Sequence, residues 1–322
     1  MIDRRHFASR LLGSCVLALA FLVACASSNP IDVGNPIAVA PGTKIFSLTI
    51  PASWHQVQDK SPTESVAVYT DPTKQAELIA YAGLLERRLT DDEGFKIAND
   101  LVNTLLRGPA DFVVTDRQRR GDGTFVLKFA YSRDQQKRLG EAILSDKDLA
   151  LSAVITDSVD SIWPQVHDAL QPFVTSFKVD PVYVQGTYFV PVENVGFAFA
   201  GPAEWRQQSS PRGTVLHSRN GNMSIVAVQQ PLSTTLAAPA LAQATISLAR
   251  TMGSWGNLVS SEQLPDGRTK LVYERPQHRV IGYVDQKDQM LAGLLFDVPL
   301  EQADAYQPFI DFMYSTFVTG KP

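Results

Sequence analysis

"FSLTIPASW", Phe46 to Trp54, returns as "FAFAGPAEW", Phe197 to Trp205, with Phe, Pro, Ala and Trp at matching places. The first version alternates: Phe46, Leu48 and Ile50 are separated by polar residues, the period of a half-buried strand. Pro51 and Pro202 supply no backbone donor and end the strand. The echo continues downstream. "SDKDLALSAVITD", Ser145 to Asp157, is answered by "DQKDQMLAGLLFD", Asp285 to Asp297, and "PFVTSF", Pro172 to Phe177, by "FMYSTF", Phe312 to Phe317. The landmarks keep their order, so the body is two copies of one unit: residues 43–180 and 187–320, with the junction at Pro181 to Gly186.

Each copy has the same coarse pattern. "SVAVYT" and "ELIAYAGLL" are strand-like, and "TVLHS" and "MSIVAVQQ" are their partners, joined at Asn220-Gly221, a tight-hairpin signal. Phe95, Ala98, Leu101, Val102, Leu105 and Leu106 follow at helical spacing behind Asp91-Asp92-Glu93, and Leu241 to Met252 takes that place in the second copy. Hairpins are expected around Gly121-Asp122-Gly123 and Asp266-Gly267, then at Asp146-Lys147 and Gln286-Lys287. Closing helices are expected over Ser161 to Phe177 and Glu301 to Phe317. Strands, helix, four strands, helix, twice over, predicts an α+β chain: two tandem antiparallel sheets flanked by helices.

This succession resembles the PsbP-like family: a strand ending in Pro-Ala-x-Trp, a mid-domain helix, a four-strand meander, and a last helix closing on Ser-Phe or Thr-Phe. That family includes extrinsic photosystem II subunits, a Ran-binding import factor and bacterial envelope lipoproteins. The resemblance implies an α/β/α sandwich and a partner-binding or accessory role. It supplies no catalytic residues.

The N-terminus reads as a targeting segment. Arg4, Arg5 and Arg10 precede an apolar run from Leu11 to Ala24, too short for a membrane span of about 20 residues but suited to a secretory leader. The run ends in Leu22-Val23-Ala24-Cys25, which resembles the lipobox of bacterial lipoproteins. That likeness implies cleavage before Cys25, acylation of its thiol and amine, and anchoring in a membrane of the cell envelope, facing the periplasm or the outside. Arg4-Arg5 with Phe7 also resembles a twin-arginine export signal; the general secretion route stays open beside it. Residues 26–42 are rich in Ser, Asn, Pro and Gly and read as a tether.

The chain holds two cysteines, Cys15 and Cys25, and carries a net charge of −4. With one cysteine in the leader and the other at the anchor, thiol catalysis, iron–sulfur clusters and cysteine-bound zinc are excluded. The acidic balance argues against nucleic acid. His55, His167, His217 and His278 have no metal-ligand spacing. No nucleophile elbow or phosphate loop appears. No metal or cofactor is expected, and no catalytic residue is assigned. Asp91-Asp92-Glu93 suits a helix N-terminus. Trp54 and Trp205 recur and read as packing residues. Trp255, in "GSWGN", and the basic cluster Arg117, Arg119 and Arg120 are the candidate interface. The expectation is a non-enzymatic envelope lipoprotein that binds a protein partner. The alternative is a carrier of a small apolar ligand or lipid, and a hydrolase comes third.

Overall fold

The computed structural model describes residues 36–39, 45–57, 65–251 and 255–320. Leader residues Arg4, Arg5, Leu22, Val23 and Ala24 and the anchor Cys25 lie outside the described residues.

The first copy contains, in chain order, β1 (Pro36–Val39), β2 (Phe46–Pro51), β3 (His55–Gln56), β4 (Val66–Thr70), β5 (Ala76–Leu84), helix α1 (Asp91–Leu105), β6 (Val113–Arg119), β7 (Phe125–Arg133), β8 (Gln136–Ser145), β9 (Ala150–Val159), helix α2 (Trp163–Ser176) and β10 (Lys178–Val179). Helix α3 (Pro181–Tyr188) joins the copies. The second copy contains β11 (Phe189–Asn194), β12 (Phe197–Pro202), β13 (Arg206–Ser210), β14 (Gly213–His217), β15 (Ser224–Pro231), helix α4 (Ala238–Thr251), β16 (Asn257–Gln263), β17 (Thr269–Arg275), β18 (His278–Lys287), β19 (Met290–Pro299), helix α5 (Gln307–Thr316) and β20 (Val318–Thr319).

Each copy is built on a seven-stranded antiparallel sheet. The orders are β3-β4-β5-β9-β8-β7-β6 and β13-β14-β15-β19-β18-β17-β16. Three-stranded sheets, β1-β2-β10 and β11-β12-β20, accompany them in the same relative places. The repeated motif "FSLTIPASW" is the central strand of that small sheet and the turn after it. In the first copy, α1 covers one face of the large sheet through Ala98 and Val102 against Phe125, Leu127 and Phe129. On the other face α2 packs Val166, Leu170 and Phe173 against β2, Trp54 and Tyr69. This is the predicted α+β tandem, with helices on both faces of each sheet.

Helix α1 starts where its sequence says it should. Thr90 caps it: its hydroxyl accepts from the Glu93 backbone amide and the Glu93 carboxylate accepts from the Thr90 backbone amide, a capping box that satisfies donors with no helical partner. Asp91, Asp92 and Glu93 lie in the first turn, where carboxylates favour the helix dipole.

Several details differ from the sequence reading. Residues 36–39 of the expected tether form β1, with Ile37 opposite Ile50; the free edge of β2 recruits them, as β12 recruits β11. The junction at Pro181 to Gly186 is helical, with Asp180 accepting from the Val182 backbone amide at 2.9 Å. Asn220-Gly221 lies in a longer loop, because the hydrogen bond between the Ser218 amide and the Met223 carbonyl (3.0 Å) leaves four residues between them. The β8–β9 and β18–β19 hairpins turn two residues later than expected, at Asp148-Leu149 and Asp288-Gln289. Asp148, Leu149 and Asp288 adopt left-handed φ values of 54, 60 and 55°. The second closing helix begins only at Gln307, after a short 3-10 turn at Leu300–Gln302.

Candidate functional site

The pairing registers align the two copies residue by residue. Asp157 lies opposite Glu77 and Gly140, as Asp297 lies opposite Ser224 and Val280. The aspartate that closes the repeated motif is thus one structural position, and it is buried in both copies. In the first copy Arg138 donates to Asp157 (Nε to Oδ1, 2.6 Å) and the Tyr131 hydroxyl donates to the same oxygen at 3.0 Å. In the second copy His278 and Arg275 fill the equivalent places, at 2.9 and 2.5 Å from the Asp297 carboxylate. Burial pushes the Asp157 carboxyl up while the Arg138 charge opposes the rise. Burial also raises the Tyr131 hydroxyl, which stays protonated and donates. In the first copy the ion pair is closed off from solvent, as a structural pair would be, whereas in the second copy Arg275 and His278 remain partly exposed.

The copies meet along the segment after β5. Trp205 Nε1 donates to Glu86 Oε1 at 2.6 Å, and the Arg88 backbone amide donates to the Ala305 carbonyl at 3.0 Å. Ser65 and Tyr188 share a hydroxyl hydrogen bond of 2.9 Å. Leu149, at the tip of the β8–β9 turn, is buried in the apolar core of the second copy. An apolar residue at a turn tip is the one signal in the sequence that pointed to this contact. Trp54 and Trp205 are both buried in their cores, and Trp205 packs 5.8 Å from Phe309.

A cleft of about 740 Å³ opens beside this contact. Its apolar lining includes Leu85, Leu89, Leu149, Pro308 and Phe312; its charged lining is Arg87, Arg88, Arg119, Lys147, Asp146 and Asp148. Arg87 is held by Glu93 in a two-pronged pair at 2.5 and 2.8 Å. That pairing holds the Glu93 carboxyl down to about 2.

The candidate interface residues fall on equivalent edges. Arg117 and Arg119 lie on β6, Arg120 just beyond it, and Trp255 directly precedes β16; β6 and β16 are the same outer strand of the two large sheets. They do not act as one cluster. Arg119 folds inward over the Phe125 ring (4.0 Å) and pairs with Asp91 at 3.3 Å, whereas Arg117 and Arg120 are exposed. Trp255 is partly buried against the core formed by Val226, Leu248 and Tyr273. Both edges carry a bulge at the same place, leaving Thr115 and Val259 without partners. Every residue of β16 is exposed, Val259 by 58% and Leu258 by 37%.

Outside these regions, His167 lies 3.5 Å from Glu141 and 3.0 Å from Asp168, beneath Trp163. Among the described residues no group of three or more His, Cys, Asp or Glu side chains could hold a metal ion. Among them, too, no helix is long and apolar enough to cross a membrane.

No family model matches the chain, and no curated protein is similar to it. Similar solved structures include the cyanobacterial PsbP, CyanoP, of Synechocystis, 18% identical, with a TM-score of 0.37, covering 49% of this chain and 99% of its own. The Ran-binding protein Mog1p of Saccharomyces cerevisiae is 12% identical, with a TM-score of 0.35, covering 47% and 98%. LpqN of Mycobacterium tuberculosis, involved in cell envelope biogenesis, is 16% identical, with a TM-score of 0.28, covering 46% and 86%.

Proposed function

We propose that this protein is a non-enzymatic accessory module of the cell envelope, tethered through acylated Cys25, that grips a protein partner along the bulged outer edge of its second sheet. The observation that carries this reading is β16, a seven-residue strand with no buried side chain. A bulge re-aims the residue it leaves unpaired, here Val259, into solvent beside Leu258. Exposed apolar side chains on a sheet edge are an aggregation liability unless something covers them, and a partner in the envelope would. The equivalent edge of the first copy carries Val113, 57% exposed, with Arg117 further along the strand.

The test uses the full chain, leader included, in its native membrane. A photo-crosslinking residue at Val259 is expected to capture one discrete protein, and Leu258→Lys with Val259→Lys to abolish its co-purification. A complex that survives both lysines overturns the partner reading. Cys25→Ser is expected to release the protein from membranes and remove the acyl mass; a lipidated Cys25→Ser protein overturns the anchor.

A further inference from the structure

The junction cleft has features that the fold alone does not call for, and the second copy is an internal control. By the same registers, Leu85-Glu86-Arg87-Arg88-Leu89 aligns with Leu232-Ser233-Thr234-Thr235-Leu236. The alignment is supported by one shared hydrogen bond. The Leu89 amide donates to Asp146 Oδ2 at 2.9 Å, and the Leu236 amide donates to Gln286 Oε1 at 3.1 Å. Both leucines are kept as framework. The charged residues between them are replaced by small hydroxyl side chains. Arg119, opposite Phe125, is likewise matched by Gln263, opposite Thr269. Three arginines therefore occur only in the copy whose loop faces the cleft, in a chain that is acidic overall.

Two of the three have structural duties. Arg87 is fixed by Glu93, and Arg119 covers Phe125 and pairs with Asp91. Asp146 is occupied by the Leu89 amide. The Arg88 side chain is exposed and forms no ion pair among the described residues, and Lys147 stands on the same rim, also exposed. Below them Leu85, Leu89, Leu149 and Phe312 form an apolar floor supplied by both copies. A concave site of several hundred Å³ with an apolar lining and a few placed polar groups is the usual form of a small-molecule site. An arginine with free donors is suited to carboxylate or phosphate oxygens.

We infer that the cleft between the two copies binds a single-chain anionic amphiphile, its carboxylate or phosphate head on Arg88 and Lys147 and its chain over Leu85, Leu89, Leu149 and Phe312. This site is separate from the Val259 edge, so either can fail alone.

The test is calorimetric titration of the full chain carrying Cys25→Ser, which removes the protein's own acyl groups from competition. The probes, all below micelle formation, are dodecanoate, dodecyl phosphate, dodecyltrimethylammonium and dodecyl maltoside. Binding of one or both anions, with the cation and the neutral sugar at least about tenfold weaker, is expected; the stronger anion identifies the head. Loss of one charge-assisted contact corresponds to about tenfold or more in affinity, so Arg88→Ala should weaken the anion by that factor and Arg88→Lys should recover part of it. Phe312→Ser should weaken every chain-bearing probe. Unchanged thermal unfolding of Arg88→Ala shows that the fold is intact, as its exposed side chain predicts. Equal binding of all four probes, no binding of either anion, or indifference to Arg88→Ala overturns the proposal. So does binding of an acidic peptide in place of the amphiphiles.

Discussion

The indole of Trp205 donates to the carboxylate of Glu86 at 2.6 Å, a bond from the second copy of the repeat to the first. Its counterpart Trp54 has no hydrogen-bond partner for its indole nitrogen among the described residues. The repeated tryptophan thus does two jobs: both copies pack it, and only the second uses its donor. Burial raises the Glu86 carboxyl above the ordinary range, while the indole bond opposes the rise. Trp205→Phe leaves that group half-buried without its donor and should cost about 1–3 kcal/mol, read from urea unfolding at neutral pH. Glu86→Gln keeps an acceptor for the indole. With its folded value raised, ionisation of Glu86 weakens the fold as pH climbs from the ordinary glutamate value through the raised folded one. The Gln variant should therefore hold its stability across that range where the parent loses some.

Glu93 has the opposite sign. Arg87 and the Thr90 cap hold its carboxyl at about 2, against an ordinary 4.5. The stabilisation is fully present above the ordinary value and is lost as pH falls from about 4.5 to about 2. Unfolding midpoints measured across that interval should fall more steeply for the parent chain than for Glu93→Gln.

The buried Arg138–Asp157 pair predicts an asymmetry between the copies. Removing one partner of a buried ion pair costs about 3–5 kcal/mol, because the remaining charge is shut off from water; nearby Arg133 is already paired with Glu77. Arg138→Met should destabilise by that order, and adding Asp157→Leu should recover much of it. Arg275→Met in the second copy should cost less, since Asp297 keeps His278 and its side chain is 10% exposed.

Gly94 sits in the first turn of α1, where alanine would ordinarily gain up to about 1 kcal/mol of helix propensity. A Cβ there would stand 2.0 Å from the Phe125 ring. Overpacking of that kind costs about 1–3 kcal/mol, so Gly94→Ala should lower the melting temperature.

Much of the fold was legible in particular residues. Asp91-Asp92-Glu93 announced the start of α1, and the Phe-Pro-Ala-Trp echo announced the duplication. What stayed hidden was nonlocal. The strands β10 and β20 are two residues each and exist only because β2 and β12 offer them an edge. The segment 36–39 reads as linker by composition and is a strand by partnership. The basic cluster Arg117, Arg119 and Arg120 reads as one patch, but the Phe125 ring and the Asp91 carboxylate draw Arg119 inward. The hairpins were found, yet their turns were placed two residues early, because the positive-φ positions belong to Asp148, Leu149 and Asp288 with no glycine to mark them.

The sequence by itself determined that the body is a doubled α+β unit, since periodicity, caps and repeated landmarks are local properties of the chain. Only the tertiary structure decided how the two copies diverged. Glu86, Arg87 and Arg88 look like an ordinary charged loop until Trp205, Tyr306 and Ala305 arrive beside them from more than a hundred residues away. A cleft has no signature in one segment, because its walls come from different segments and its chemistry depends on which charges their packing leaves unpaired.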